Sequence, residues 1–87
     1  MDKMGNIRRR RDEDIYEIIA ANIKEYRKAA KITQGELATR SSYSHEFIRR
    51  IEAPNGKKYF SVNTLVKIAD ALEIKVEKLL KGLNNEE

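Results

Sequence analysis

Two short amphipathic helices, separated by a brief polar break, are predicted in the middle of the chain. The first covers residues 34–40 and turns Leu37 and Ala38 toward the protein interior. Thr33 and Glu36 are three positions apart, the spacing of a capping box in which each side chain accepts a hydrogen bond from a backbone N–H near the helix start. The serine pair after this segment consists of poor helix formers, so we expect the helix to end there.

The second helix of the pair shows a stronger contrast between its two faces. It is expected to run from Ser44, a good amino-terminal cap, to about Ala53, after which Pro54 introduces a turn. Because successive residues are rotated by about 100° around a helix axis, its polar and apolar residues fall on opposite sides. The inward side holds Phe47, Ile48, Ile51 and Glu52, and the outward side holds His45, Glu46, Arg49 and Arg50. Two helices of this size joined by a tight turn are typical of the helix-turn-helix unit, whose second helix enters the DNA major groove.

Three further helices are predicted around this pair. Apolar residues at helical spacing indicate helix 1 over about residues 13–30, and Ser61 can cap helix 4. Helix 5 is predicted over residues 76–81, with Gly82 as its stop. We therefore expect an all-α, compact five-helix fold in which helices 2 and 3 form the helix-turn-helix.

The chain is expected to form one folded domain with short extensions. Residues 13–83 would be the helix-turn-helix DNA-binding domain, residues 1–12 a flexible basic arm, and residues 84–87 a frayed tail. A length of 87 residues, with 40% hydrophobic and 37% charged residues, suits a single globular core.

Several classes of function are disfavoured by what the sequence lacks. There is no cysteine for a disulfide or a thiolate zinc site, and no apolar run has the length of a membrane span. We therefore expect a cytoplasmic protein that has no membrane contact and no cofactor. The single histidine, His45, has no serine–carboxylate partners suggested by spacing, and no metal-ligand or phosphate-loop motif is present, so an enzyme is not expected.

The positive charge is concentrated in the first two thirds of the chain. The formal net charge is +4, residues 1–11 carry five cations and one anion, and residues 61–87 carry four cations and five anions. A nucleic-acid face should therefore use the amino-terminal and middle parts. Arg8, Arg9, Arg10 and Arg11 suggest an arm that enters the minor groove or grips phosphates. The alternative is a solvated basic tail that is balanced by the acidic run directly after it.

The ordered set of apolar and polar matches between residues 15 and 80 resembles a known family. The matching residues are Arg27, Thr33, Gln34, Leu37, Ala38, Ile48, Ile51, Glu52, Thr64, Leu65, Ile68, Ala69, Ala71 and Leu72. This pattern is similar to the Cro/repressor-type helix-turn-helix domains of lambdoid phages and the Xre-type regulators of bacteria. The resemblance implies a lambda-repressor-like fold and sequence-specific binding of double-stranded DNA as a transcriptional regulator, for which we expect a repressor.

Site residues follow from the resemblance together with the helical wheel. Base contacts are expected from His45, Glu46 and Arg50, with Ser44 and Arg49 at the margin. Arginine can donate two hydrogen bonds to guanine, and glutamate can accept one from cytosine N4. The resemblance implies a phosphate contact by Gln34 and a structural ion pair between Arg27 and Glu52, while Arg40, Lys57, Lys58 and Asn63 are further phosphate candidates. A plain solvated helix face is the alternative, and Phe47 is expected to pack rather than touch a thymine methyl group.

Three positions depart from the family pattern, which often has glycine at the turns between helices. This chain has Lys31, Ser42 and Glu73 there. If the backbone at these positions needs a positive φ, each side chain costs up to roughly 1–2 kcal/mol. Ser42 matters most because it lies in the turn that orients the reading helix.

The carboxyl-terminal end is expected to join two copies of the chain. Val76, Leu80 and Leu83 offer more apolar surface than one small core requires, which predicts a homodimer bound to an inverted repeat with half-sites about 34–36 Å apart. The alternative is that these residues complete the monomer core. A different function also stays open at this stage: an antitoxin or protein-interaction module whose main partner is another, regulatory protein.

Overall fold

The computed structural model describes residues 12–54 and 59–83, with side chains described from residue 15 onward. It contains the helices α1 (Asp12–Ala29), α2 (Gln34–Ser41), α3 (His45–Glu52), α4 (Val62–Leu72) and α5 (Val76–Leu79). The described ranges contain no β-strand, so the predicted all-α, five-helix fold is confirmed. The arginine run, Lys57, Lys58 and the predicted tail lie outside the described residues. Asp12, which was assigned to the arm, is the first residue of α1.

The predicted amino-terminal caps are present. The Thr33 hydroxyl accepts a hydrogen bond from the Glu36 N–H at 3.0 Å, and the Glu36 carboxylate accepts one from the Thr33 N–H at 2.9 Å. Ser44 and Ser61 cap α3 and α4 by accepting bonds from the backbone N–H three residues further on, at 3.0 and 3.1 Å. These bonds satisfy N–H groups that have no partner within the helix, so they fix where three of the helices begin.

Left-handed backbone occurs at the three positions where the family pattern often has glycine and this chain does not. The φ angles are +61° at Lys31, +67° at Ser42 and +60° at Glu73. Ser42 and Glu73 are the carboxyl-terminal caps of α2 and α4, and their N–H groups bond back to carbonyls in the last turn of each helix. The chain therefore retains the turn geometry but carries a steric cost at each of these Cβ atoms.

Helix α5 is shorter than the expected segment 76–81. Its end is bound by the buried Asn22 of α1, whose amide nitrogen donates to the Leu79 carbonyl at 2.8 Å and to the Lys81 carbonyl at 2.9 Å. The N–H of Leu83 bonds to the Leu80 carbonyl, three residues back, at 3.2 Å. The chain after Leu79 therefore closes with bonds to the third residue back, and Asn22 satisfies carbonyls that α5 itself leaves without a helical partner.

The core receives a fully buried side chain from every helix. These residues are Ile23, Leu37, Ile48, Ile68 and Leu79, in the order of the five helices. Each such side chain contributes about 1.5–3 kcal/mol through the burial of apolar surface. One continuous core thus supports the helix-turn-helix from behind. No helix among the described residues combines the length and the apolar character needed to cross a membrane.

Replacing Glu73 by glycine should stabilise the domain. Glycine avoids the steric cost of the +60° φ, about 1–2 kcal/mol, but loses more entropy on folding, so a net gain of about 0.5–1 kcal/mol in unfolding free energy is expected. Urea unfolding measures this change. The matched control is Asp70→Gly in the body of α4, which should destabilise the domain by about 0.5–1 kcal/mol. A loss of stability in Glu73→Gly would contradict the strain argument.

Candidate nucleic-acid interface

The turn between α2 and α3 sets the direction of the second helix. After Ser42 reverses the chain in the left-handed region, the Tyr43 N–H donates to the Ala38 carbonyl at 2.9 Å. Ile48 and Ile51 are then 0% and 3% exposed, so the apolar side of α3 is anchored in the core. The opposite side of α3 is consequently turned to solvent.

A buried ion pair ties α3 to α1. The Arg27 Nε donates to Glu52 Oε2 at 2.7 Å, and an Arg27 terminal nitrogen donates to Glu52 Oε1 at 2.9 Å. The other terminal nitrogen of Arg27 donates to the Ile32 carbonyl at 2.8 Å. The two side chains are 10% and 1% exposed. This bidentate geometry fixes the carboxyl end of α3 against α1 and against the chain that leads into α2.

Gln34, the predicted phosphate contact at the start of α2, also joins this cluster. Its amide nitrogen donates to Glu52 Oε1 at 3.1 Å, the same oxygen that accepts from Arg27. The side chain is half-buried, and an amide NH₂ group has a second hydrogen that this bond does not use. Gln34 therefore connects the buried pair to the amino end of α2, where a helix dipole favours an anion.

The outward side of α3 presents a mixed charged surface. His45, Glu46, Arg49 and Arg50 are all exposed, as the helical wheel predicts. Arg49 donates a hydrogen bond to Glu46 in an exposed ion pair, with the two side chains 60% and 61% accessible. The hydrogen bond and the charge of Arg49 lower the pKa of the Glu46 carboxyl below its ordinary value, with smaller contributions from Arg50 and His45. Glu46 is therefore an ionised acceptor that already has one cationic partner.

The remaining predicted contacts lie around this surface. Ser44 is exposed and its oxygen caps α3, which leaves its O–H free to donate. Arg40 is exposed in the last turn of α2, and Asn63 is exposed in the first turn of α4. Lys57 and Lys58 belong to the stretch between α3 and α4 that lies outside the described residues.

Phe47 packs as expected rather than projecting from the helix. It is half-buried against the core, and its ring stacks on the Tyr43 ring with 4.6 Å between centroids. The Nζ of Lys67 lies 5.4 Å from the centroid of the Tyr43 ring. Phe47 is therefore part of the support for the turn.

Two polar contacts of this region carried no recognisable signal in the sequence. The Tyr43 hydroxyl and the Thr64 Oγ1 of α4 are 2.9 Å apart, and Asn22 holds the end of α5. Each bond joins residues that are far apart in sequence, 21 positions in one case and 57 in the other. Helical periodicity marks which positions face inward, but it does not pair polar groups on different helices.

Comparison with known proteins agrees with this geometry. A family model described as Helix-turn-helix matches residues 23–79, which is most of the chain and covers the two helices with their supporting core. The chain is also 36% identical over 76 residues to Control protein C.SmaI of Serratia marcescens, with 85% of this chain and 88% of that protein covered. The chain belongs to the Xre-type helix-turn-helix family. It is accordingly a DNA-binding transcriptional regulator and not an enzyme.

Removing one partner of the buried pair should destabilise the fold strongly. Arg27→Met leaves the Glu52 carboxylate buried without its guanidinium, and we expect a loss of about 3–5 kcal/mol in unfolding free energy, measured by urea titration. The double variant Arg27→Met/Glu52→Leu removes both charges and should recover a large part of that loss. Arg49→Met breaks the exposed pair instead and should leave stability almost unchanged. Equal losses in Arg27→Met and Arg49→Met would contradict this interpretation.

The Glu46 carboxyl should titrate below the ordinary value of 4.5. Arg49 favours the ionised form, so the ion pair contributes its full stability above the ordinary pKa of 4.5, and this contribution is lost as the pH falls from there through the lowered pKa. Titration of the side-chain carboxyl carbon by NMR measures the midpoint. In Arg49→Gln the midpoint should rise toward the ordinary value. An unchanged midpoint in that variant would show that Arg49 is not the cause.

Proposed function

We propose that this protein is a control protein like its relative from Serratia marcescens. It would act in the cytoplasm as a repressor that binds an inverted repeat as a homodimer. The observation that carries the proposal is the exposed polar side of α3, held on a helix whose inner side and carboxyl end are fixed. A rigid helix with exposed hydrogen-bonding groups can discriminate bases, because such contacts require fixed geometry. Binding of the two half-sites would block access of other proteins to the same DNA.

Base discrimination is assigned to the side chains of the exposed side. We propose that Arg50 donates two hydrogen bonds to a guanine and that Glu46 accepts from a cytosine N4. His45 would donate to a purine N7 or to a phosphate, with Ser44 and Arg49 at the edge of the contact. The Glu46–Arg49 ion pair supports this assignment, because each side chain limits the directions in which the other can point.

Phosphate contacts would position the domain on the duplex without selecting sequence. We propose Gln34 at the start of α2, Arg40 at its end and Asn63 at the start of α4 for this role. Lys57, Lys58 and the arm residues Arg8, Arg9, Arg10 and Arg11 are proposed on charge alone. The exposure of Arg40 and Asn63, and the half-buried position of Gln34 beside a helix amino end, support the first three.

The dimer is proposed through the carboxyl-terminal end of the domain. Leu80 is 36% exposed, and it lies between Val76 and Leu83, which are only partly buried against the core. Part of the apolar surface of Val76 and Leu83 therefore serves the monomer, and the remainder with Leu80 is available to a second copy. A two-fold axis at this end would set two reading helices about one DNA turn, 34–36 Å, apart.

Selection of bound duplexes from a random DNA library, at about 150 mM salt to limit nonspecific phosphate binding, tests this function. The wild-type protein should enrich an inverted repeat. Arg50→Ala should lose preference at one base pair of each half-site, with a cost of about 1–3 kcal/mol, because its bidentate contact is gone. Lys24→Ala is the matched control, since it removes one exposed positive charge from α1, outside the helix-turn-helix.

The outcomes separate the parts of the proposal. Enrichment of a single half-site would retain DNA reading by α3 and remove the dimer. If Arg50→Ala and Lys24→Ala lose the same amount of affinity and neither changes the base preference, Arg50 has only a general electrostatic role. No enrichment, with weak salt-sensitive binding only, would contradict sequence-specific regulation.

A further inference from the structure

Tyr43 lies in the turn of the helix-turn-helix, and its side chain contacts both α3 and α4. Its backbone follows the left-handed Ser42 and directly precedes Ser44, the cap of α3. Its ring stacks on Phe47 of α3, and its hydroxyl lies 2.9 Å from the Oγ1 of Thr64 in α4. Thr64 is 7% exposed, so the partner of the hydroxyl is a buried group.

The bond from Tyr43 continues into the cap of α4. The Thr64 Oγ1 is 3.2 Å from the Ser61 Oγ, and the Thr64 N–H donates to the same Ser61 oxygen at 3.1 Å. The side chains of Tyr43, Thr64 and Ser61 therefore form one chain of hydrogen bonds. It joins the start of the reading helix to the start of α4, which carries the proposed phosphate contact Asn63.

The two ends of α3 are consequently held by different interactions. Glu52, at the carboxyl end, is fixed by Arg27 with two hydrogen bonds. The amino end is held by Tyr43, through its stack on Phe47 and its bond to Thr64. Loss of the bond between Tyr43 and Thr64 would weaken the hold on the amino end, so that α3 could tilt further about Glu52.

A tilt about Glu52 would move the reading side chains unequally. At about 1.5 Å of rise per residue, His45 is about 10 Å from Glu52 along the axis, and Arg50 only about 3 Å. A tilt of about 5° therefore displaces the His45 backbone by about 0.9 Å and that of Arg50 by about 0.3 Å. A displacement of about 0.9 Å strongly weakens a hydrogen bond to a base edge, whereas a displacement of about 0.3 Å is tolerated.

We infer that the Tyr43 hydroxyl, through its hydrogen bond to Thr64, is a positioning group for the base discrimination made by His45 and Glu46 at the amino end of α3. Tyr43 touches no base in this role. The inference rests on the proposed function, because it specifies how the same reading surface is held. The discrimination at the base pairs read by His45 and Glu46 would then depend on the bond between Tyr43 and Thr64 of α4.

The test compares Tyr43→Phe with the wild-type protein on a set of operators that differ by one base pair each. His45→Ala, Glu46→Ala and Arg50→Ala first identify which base pairs each side chain reads. Tyr43→Phe should then lose about three- to tenfold discrimination at the base pairs read by His45 and Glu46, a fraction of what a full bidentate contact provides, and less than about twofold at the base pair read by Arg50. Thr64→Val should give the same pattern, and the double variant should be no worse than either single variant.

Rescue and control variants separate positioning from general damage. Thr64→Ser retains the hydroxyl and should retain the wild-type discrimination. Tyr26→Phe is the matched control, since the Tyr26 hydroxyl makes no hydrogen bond among the described residues, and it should leave the discrimination unchanged. Amide hydrogen exchange is measured without DNA in Tyr43→Phe and in the wild-type protein. The exchange rate should increase at the Phe47 and Ile48 N–H groups, which bond to Ser44, and should increase less at the Ala53 N–H.

A uniform loss of affinity across all operators and on nonspecific DNA would overturn the inference, because that is what a purely structural role of Tyr43 predicts. A wild-type profile in Tyr43→Phe would overturn it as well. In both cases the wild-type protein still discriminates, so the proposed function stands. A wild-type protein that does not discriminate at all would remove the proposed function and this inference together.

Discussion

The ion pair between Arg27 and Glu52 determines how the reading helix is oriented. An unpaired carboxylate is costly to bury, and Glu52 is 1% exposed, so α3 can dock only where the Arg27 guanidinium meets it. Apolar residues of similar volume could supply comparable stability. They could not fix direction in the same way, since two parallel hydrogen bonds from a planar guanidinium constrain how the carboxyl end of α3 is turned against α1. The ion pair therefore mainly orients the carboxyl end of α3, and the apolar residues Ile48 and Ile51 determine how closely the helix packs on the core.

Local sequence signals predicted much of this arrangement because the relevant interactions span three or four residues. The capping box of Thr33 and Glu36, the serine caps of α3 and α4 and the inward face of each helix all depend on near neighbours along the chain. The left-handed turns could also be anticipated, since glycine is usual at equivalent positions of the family. Lys31 closes the end of α1 in the same way as the other two, since its N–H donates to the Lys28 carbonyl at 2.9 Å and the Ile32 N–H donates to the Arg27 carbonyl at 3.3 Å.

The interactions that sequence reasoning missed are polar bonds between helices. Asn22 bonds to carbonyls 57 and 59 positions away, and Gln34 bonds to Glu52 18 positions away. Periodicity indicates that such residues face inward, but which groups meet depends on the crossing of helices that only the folded chain defines. Helix α5 illustrates the consequence. The predicted segment extends to residue 81, yet the helix ends at Leu79, where Asn22 of α1 binds the Leu79 carbonyl.

On the proposed function, the outward side of α3 is suited to selectivity more than to charge attraction. Arg49 is engaged by Glu46, so one of the two arginines on this side of α3 is already partly neutralised. The side chain of Arg50 makes no ion pair or hydrogen bond among the described residues, and Arg50 lies two positions before the fixed Glu52. The cation proposed to contact a base therefore lies close to Glu52, the best-anchored residue of the helix, whereas the proposed contacts of His45 and Glu46 depend on the second anchor at Tyr43. An acidic residue on a DNA-facing side weakens attraction to every phosphate alike, and such a cost is compensated only where the carboxylate meets a complementary donor. The proposed contacts of α3 would thus sacrifice general affinity for dependence on sequence.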